Sequence, residues 1–248
     1  MKIFSVFGIT KSGKTTTIEN IIRELRRRNY SVGSVKEIHF EAFKIDNEGT
    51  NTDRHRKAGS QLVTARGQYE TDILYQNKLS MNEILRAYNH DFVVLEGVED
   101  INAPKIITAH NTEEIEERLD ETIIAISGIV SNHMDSYKGI PVINSETDIV
   151  KMVDLLEDKV FERLPDFPED CCDACGYSCA RLCVEIIKGN AKREDCIINS
   201  HKTRLKINGN EINMVPFVEK ILYNAVLGVV GELDGYEDKS KIEITIGL

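Results

Sequence analysis

The chain has 248 residues, 41% of them hydrophobic and 29% charged, with a formal net charge of −10 at pH 7. That length can bury one large core, or an α/β domain with a smaller appendage, and the composition is that of a folded protein. The acidic balance excludes nucleic-acid binding by bulk electrostatics, and no apolar run approaches the length of a membrane span, so neither partner is expected.

The first predicted element is a buried strand over Lys2–Phe7, a short apolar run rich in β-formers. It runs into Gly8-Ile9-Thr10-Lys11-Ser12-Gly13-Lys14-Thr15, a complete G-x-x-x-x-G-K-[ST] octet. Ile18, Ile21, Ile22 and Leu25 then recur at helical spacing across Thr16 to Arg28. Strand, glycine-rich loop and helix in this order form the context that a phosphate-binding loop needs. Main-chain N–H groups of such a loop and of the helix N-terminus converge on an anion. Lys14 is placed to reach the β- and γ-phosphates, and the Thr15 hydroxyl to ligate Mg²⁺. The chain is therefore expected to bind a nucleoside triphosphate. Arg26-Arg27-Arg28 closes the helix as a solvated face favoured by the helix dipole.

A second strand is predicted over Tyr30–Val35, followed by a long polar stretch from Lys36 to Arg56. A helix carrying Ile84 and Leu85 starts near a Ser80 cap. Strands follow at Asp91–Glu96, Lys105–Thr108 and Thr122–Val130, with a helix near Thr112–Leu119 and an amphipathic helix over Asp148–Leu164. Alternating strands and helices predict an α/β fold, a P-loop NTPase with a mainly parallel sheet, over residues 1–165. Leu164-Pro165-Asp166-Phe167-Pro168-Glu169-Asp170 breaks the pattern and marks a boundary. A small Cys-rich helical segment over 166–200 and a C-terminal α+β unit over 201–248 complete the expected organisation. In that last unit Leu205 and Ile207 precede the hairpin signal Asn208-Gly209, and Ile212 and Met214 follow it. Phe217 to Leu233 carries one apolar helical face, and Ile242, Ile244 and Ile246 alternate as a final strand.

Glu96 ends the Val93-Val94-Leu95 run and is followed by Gly97, the arrangement of a Walker B position. A carboxylate there can hold a Mg²⁺-bound water or polarise an attacking water. Lys14 and Glu96 are thus the candidate catalytic pair, and Thr15 and Glu96 the candidate Mg²⁺ site. Asn132-His133-Met134-Asp135 loosely resembles the Asn-Lys-x-Asp guanine reader without its lysine, and a surface turn accounts for the same residues.

Five features together resemble the molybdopterin-guanine dinucleotide biosynthesis protein B (MobB) family. They are the octet, Lys36-x-x-His39, the Asp46-x-x-Gly49…Arg56-Lys57-Ala58-Gly59 segment, Leu95-Glu96-Gly97, and Pro104-Lys105-Ile106. The resemblance covers roughly residues 1 to 160. It implies a dimeric α/β GTP-binding protein that assists the guanylyltransferase attaching GMP to molybdopterin, or a molybdo- or tungstoenzyme. It further implies phosphate contacts from Gly13, Lys14, Thr15 and Thr16, Mg²⁺ near Thr15 and Glu96, and a switch-like segment from Asp46 to Arg56; Gly8, Lys11, Ser12 and Asp46 are further candidate nucleotide-binding residues. Two departures stand out. Gly49-Thr50-Asn51-Thr52 replaces a Gly-Lys-Asp-[Ser/Thr] pattern, and Glu37 stands where the family carries an additional histidine. Hydrolysis is accordingly expected to be weak or absent.

All six cysteines fall between Cys171 and Cys196. The spacing Cys172-x₂-Cys175-x₃-Cys179-x₁₆-Cys196 gives three thiolates from one tight loop and a fourth returning beyond a helix, which suits a [4Fe–4S] cluster. The Cys175-Gly176-Tyr177-Ser178-Cys179 loop resembles the small four-cysteine iron–sulfur domain of electron-transfer subunits and corrinoid proteins. Structural zinc is the alternative for the same four sulfurs. Cys183 reads as a core thiol, and Cys171 can exchange roles with Cys172. The expectation is a cytoplasmic GTP-binding accessory protein with no secretory signal and a fused cluster. The alternatives are a metallocluster or metallocentre maturation NTPase and a redox-responsive binding module.

Overall fold

The computed structural model describes residues 1–166, 172, 175–196, 203, 205–207, 210–212, 214, 216–234, 236, 242 and 244. The chain divides into two compact units, Met1–Arg163 and Leu164–Leu248.

The first unit is built on strand β1 (Lys2–Gly8), whose Ile3, Phe4, Val6 and Phe7 are buried. An apolar run without alternation is what a strand covered on both faces requires. β1 feeds helix α1 (Lys14–Arg27), which buries Ile18, Ile21 and Leu25 on one stripe. β2 (Val32–Lys36), α2 (Asn51–Lys57) and an antiparallel hairpin, β3 (Leu62–Arg66) and β4 (Thr71–Tyr75), follow. α3 (Met81–Leu85) begins at Ser80, where Ser80 and Glu83 form a capping box. Next come β5 (Phe92–Glu96), β6 (Lys105–Thr108), α4 (Thr112–Glu116) and β7 (Ile123–Ser127). A short hairpin, β8 (Ser136–Tyr137) and β9 (Ile140–Pro141), leads to α5 (Ile149–Lys159).

Five of these strands form one parallel sheet in the order β2-β5-β1-β6-β7. The expected α/β class with a mainly parallel sheet is therefore observed. Arg28, beyond the end of α1, bonds to Glu24 at 2.9 Å and to Asp154 and Glu157 of α5 at 2.7 Å each, tying the two helices together. Arg27 and Arg28 hold the buried Glu24 carboxyl down at about 2.

Several elements depart from expectation: β7 ends at Ser127 rather than Val130, giving way to a 3₁₀ turn over Ile129–Asn132, and the β8–β9 hairpin was not predicted. α2 closes the long polar stretch that begins at Lys36, where no helix was predicted, and the β3–β4 hairpin was not predicted either. α5 stops at Lys159 rather than Leu164, because Val160 turns to extended backbone and Glu162 bridges to Lys2. Buried Val160 continues the apolar periodicity after the helix has ended.

In the second unit, α6 (Cys179–Lys188) is capped by Ser178 and stops at Gly189. β10 (Leu205–Ile207) and β11 (Asn210–Ile212) pair antiparallel, as the hairpin signal predicted, although Asn208 and Gly209 lie outside the described residues. α7 (Pro216–Val230) follows. Ile246 and most of the predicted final strand lie outside the described residues. Among the described residues, no helix is long and apolar enough to cross a membrane.

Leu95, fully buried in β5 among Ile3, Leu85 and Val93, tests the core directly. Leu95→Ala should destabilise the chain by about 2–5 kcal/mol, read as a lower denaturant midpoint without a change in slope.

Candidate nucleotide site

The octet occupies the turn between β1 and α1, and two glycines set its shape. Gly8 has φ +146°, and a Cβ on it would lie 2.0 Å from the Thr108 carbonyl oxygen. Gly13 caps α1 at φ +103°. Both positions exclude a side chain, the first by collision and the second by conformation. Between them Lys11 is left-handed at φ 62°, and its carbonyl oxygen lies 3.1 Å from His110 Nε2. His110 Nδ1 faces the Glu114 carboxylate at 3.1 Å. Ser12 is buried, with its hydroxyl 2.8 Å from the Ile9 carbonyl oxygen and 2.7 Å from Thr108 Oγ1.

Lys14 reaches back along the loop and donates to the Gly8 carbonyl at 2.8 Å and to the Ile9 carbonyl at 2.5 Å. Burial lowers its ammonium pKa; Glu96 opposes that shift and Lys36 reinforces it. Thr15 and Thr16 are exposed on the first turn of α1. The Thr15 hydroxyl donates to Glu96 Oε1 at 3.3 Å. The same oxygen accepts from Lys36 Nζ at 2.5 Å, so one carboxylate draws together the ends of β2 and β5 and the start of α1. The register explains the meeting. Val6 of β1 pairs with Glu96, and Lys36 of β2 pairs with Glu96 from the other side. A lysine, a hydroxyl and a carboxylate at a helix N-terminus can bind a polyphosphate together with a divalent cation.

Asp46, also expected at the nucleotide, is engaged within its own segment. Its Oδ1 accepts from the Thr50 hydroxyl at 2.8 Å and the Thr52 hydroxyl at 3.0 Å, while its buried Oδ2 has no hydrogen-bond partner. Thr50 caps α2, accepting from the Asp53 N–H at 3.1 Å. Asp53, almost fully buried, receives Lys57 at 2.8 Å, the Gly49 N–H at 3.0 Å, and Arg56. Those bonds, Lys57 first, hold its carboxyl far below the usual carboxylate range.

Sequence reasoning missed Thr108 and His110. Gly8 pairs with Thr108 only because β6 lies beside β1, and strand order leaves no local signal.

The cysteines belong to the second unit. Cys179 opens α6, Cys183 sits one turn further on, and both are buried, as is Cys196. Cys172 and Cys175 are half-buried, and Cys175 Sγ lies 3.6 Å from the Tyr177 carbonyl oxygen. Cys171 lies outside the described residues. Among the described residues no three potential metal-ligating side chains converge.

Comparison with known proteins adds a family and a fold. The family described as MobB, molybdopterin guanine dinucleotide synthesis protein B, matches residues 3–130, just over half of the chain. A Methanocaldococcus jannaschii protein, described provisionally as a molybdopterin-guanine dinucleotide biosynthesis adapter, is 26% identical over 99% of this chain and 97% of its own. The Haemophilus influenzae molybdopterin-guanine dinucleotide biosynthesis adapter protein is 27% identical over 50% of this chain and 73% of its own. The crystal structure of Bacillus subtilis MobB superposes with a TM-score of 0.54 at 22% identity, covering 66% of this chain and all of that one.

The Asp53 cluster gives a pH prediction. A carboxyl whose folded pKa is depressed contributes stability in full above its ordinary value, near 3.8, and loses it as pH falls below that. Asp53→Asn should therefore speed amide exchange across residues 49–57 at pH 7. The gap to the parent protein should stay flat down to pH of about 5 and narrow below it.

Proposed function

The chain belongs to the MobB family, and from that membership we propose that it is a nucleotide-binding adapter in the synthesis of molybdopterin guanine dinucleotide. The observation that carries the reading is the joined site, in which Lys14 folds within the P-loop while Thr15 and Lys36 meet on Glu96. The proposed ligand is GTP with Mg²⁺. The N–H groups of Gly13 to Thr16 and the Lys14 ammonium take the phosphates, and Thr15 and Glu96 take the cation. Lys36 begins the segment that leads to Asp46, so a cation competing for Glu96 is coupled to the position of that segment. Binding rather than turnover is the role proposed, because Thr50 and Asn51 stand where the family pattern has a lysine and a carboxylate. The partner proposed is the guanylyltransferase that attaches GMP to molybdopterin, or a molybdo- or tungstoenzyme, and the chain itself is proposed to act as a homodimer.

The four sulfurs of Cys172, Cys175, Cys179 and Cys196 are proposed to hold a [4Fe–4S] cluster, with structural zinc as the alternative. Their spacing and the burial of Cys179 and Cys196 support a closed ligand set. The same spacing favours the second reading, a nucleotide-gated metallocluster maturation protein, which differs in passing its cluster to an acceptor.

Two measurements test these readings. Lys14→Ala should weaken GTP binding at least about tenfold by calorimetry, as the loss of a charged hydrogen-bond donor requires, and unchanged affinity would sink the nucleotide site. Anaerobically purified protein should hold about four iron and four acid-labile sulfide per chain, both lost in Cys175→Ser. One zinc without sulfide would make the segment a structural clasp.

A further inference from the structure

The site has a direction set by the order of the sheet. Glu96 and Lys36 stand on the β5 side of β1, and β6 and β7 lie on the opposite side. On that opposite side two loops close against the start of α1. After β7, the Ile129 N–H donates to the Ser12 carbonyl at 3.2 Å. After β9, the Ser145 hydroxyl donates to Thr17 Oγ1 at 3.3 Å. Between these loops opens a cavity of about 330 Å³, with Asn132, Asp135, Asn144 and Lys151 around it and buried Val142 and Ile143 behind. That volume is at the lower end of the roughly 300–1,000 Å³ of small-molecule sites. The Asn144 amide donates to Asn132 Oδ1 at 2.8 Å and ties the two loops together. The Val142 N–H donates to the Asp135 carbonyl at 3.0 Å and fixes that residue at the rim.

We propose that this cavity receives the purine base of the nucleotide whose phosphates lie on the P-loop, and that Asp135 selects guanine; the inference rests on the nucleotide reading above. Phosphates gripped at the N-terminus of α1, with their cation on the β5 side, direct the ribose and base toward β7. Two donors of guanine, N1–H and the 2-amino group, lie side by side and match a single carboxylate. Adenine presents a lone pair at N1, which faces that carboxylate without a shared proton. The other carboxylate at the cavity, Asp148, already accepts from the Thr147 hydroxyl at 2.6 Å. Lys151 and the asparagine amides supply donors for the guanine 6-oxygen.

Xanthine carries an oxygen where guanine carries its 2-amino group, which provides the test. Calorimetry on the full chain with GTP, ATP and XTP, each with Mg²⁺, should show a preference for GTP of about tenfold or more. Asp135→Asn should lose about tenfold to a hundredfold for GTP and gain about tenfold for XTP, since its amide both accepts from N1–H and donates to the new oxygen. A gain of binding cannot come from misfolding. An unchanged ratio of GTP to XTP, a loss of GTP without a gain of XTP, or a parent protein indifferent to GTP and ATP overturns the assignment. Lys14→Ala separates the two levels. If it abolishes binding of all three nucleotides while Asp135→Asn changes nothing, the base assignment alone fails. If it leaves GTP binding intact, the nucleotide reading fails and takes the base assignment with it.

Discussion

The placement of β1 between β5 and β6, in one fixed parallel register, is the constraint on which the rest of the first unit depends. Val6 opposite Glu96 and Gly8 opposite Thr108 bring a carboxylate and a hydroxyl to the two sides of one loop. A slip of β1 by one residue would take Val6 away from Glu96 and Gly8 from over the Thr108 carbonyl, and would turn the β1 side chains into the opposite packed layer. Burial of Val93, Val94 and Leu95 makes that slip expensive, so the core that stabilises the sheet also fixes the chemistry at its edge.

Buried hydroxyls extend the same control to the helix. The Ser5 hydroxyl bonds to the carbonyls of Leu95 and Val98, Ser12 meets Thr108, and Ser127 donates to the Ile143 carbonyl at 2.7 Å. Thr17 lies within reach of both Ser127 and Ser145. A buried hydroxyl without a partner costs more than a satisfied one contributes, so each bond discriminates against other placements of α1. The departure at Gly49-Thr50-Asn51-Thr52 has a similar local logic. Thr50 caps α2 while donating to Asp46, and Thr52 donates to Asp46 as well. Of the residues that depart from the family pattern, Thr50 thus serves the internal order of this segment.

The parts of the site that were legible in the sequence are those written locally. The octet, its flanking strand and helix, and Glu96 at a strand end need only near neighbours in sequence to be recognised. Thr108 and His110 were not legible, because their nearness to the loop follows from strand order. The β3–β4 hairpin escaped for a different reason. Its apolar residues stand side by side, Leu62 with Val63 and Ile73 with Leu74 and Tyr75, rather than alternating with polar ones, so no period-2 pattern marks it even though Leu62, Ile73 and Tyr75 are exposed. α5 was overrun because burial, not helicity, continues at Val160.

The second unit shows how position separates residues of one type. Cys179 and Cys183 lie on consecutive turns of α6, and helix geometry puts them on one face. Cys179 stands at the first turn, where main-chain N–H groups have no helical partners. Cys183 is fully buried one turn further along the same helix. α7 has the opposite character, with Phe217, Val218, Ile221 and Val229 all exposed among the described residues. Periodicity alone identified the helix but not the fate of its apolar face, because the same spacing serves a buried stripe and an exposed one.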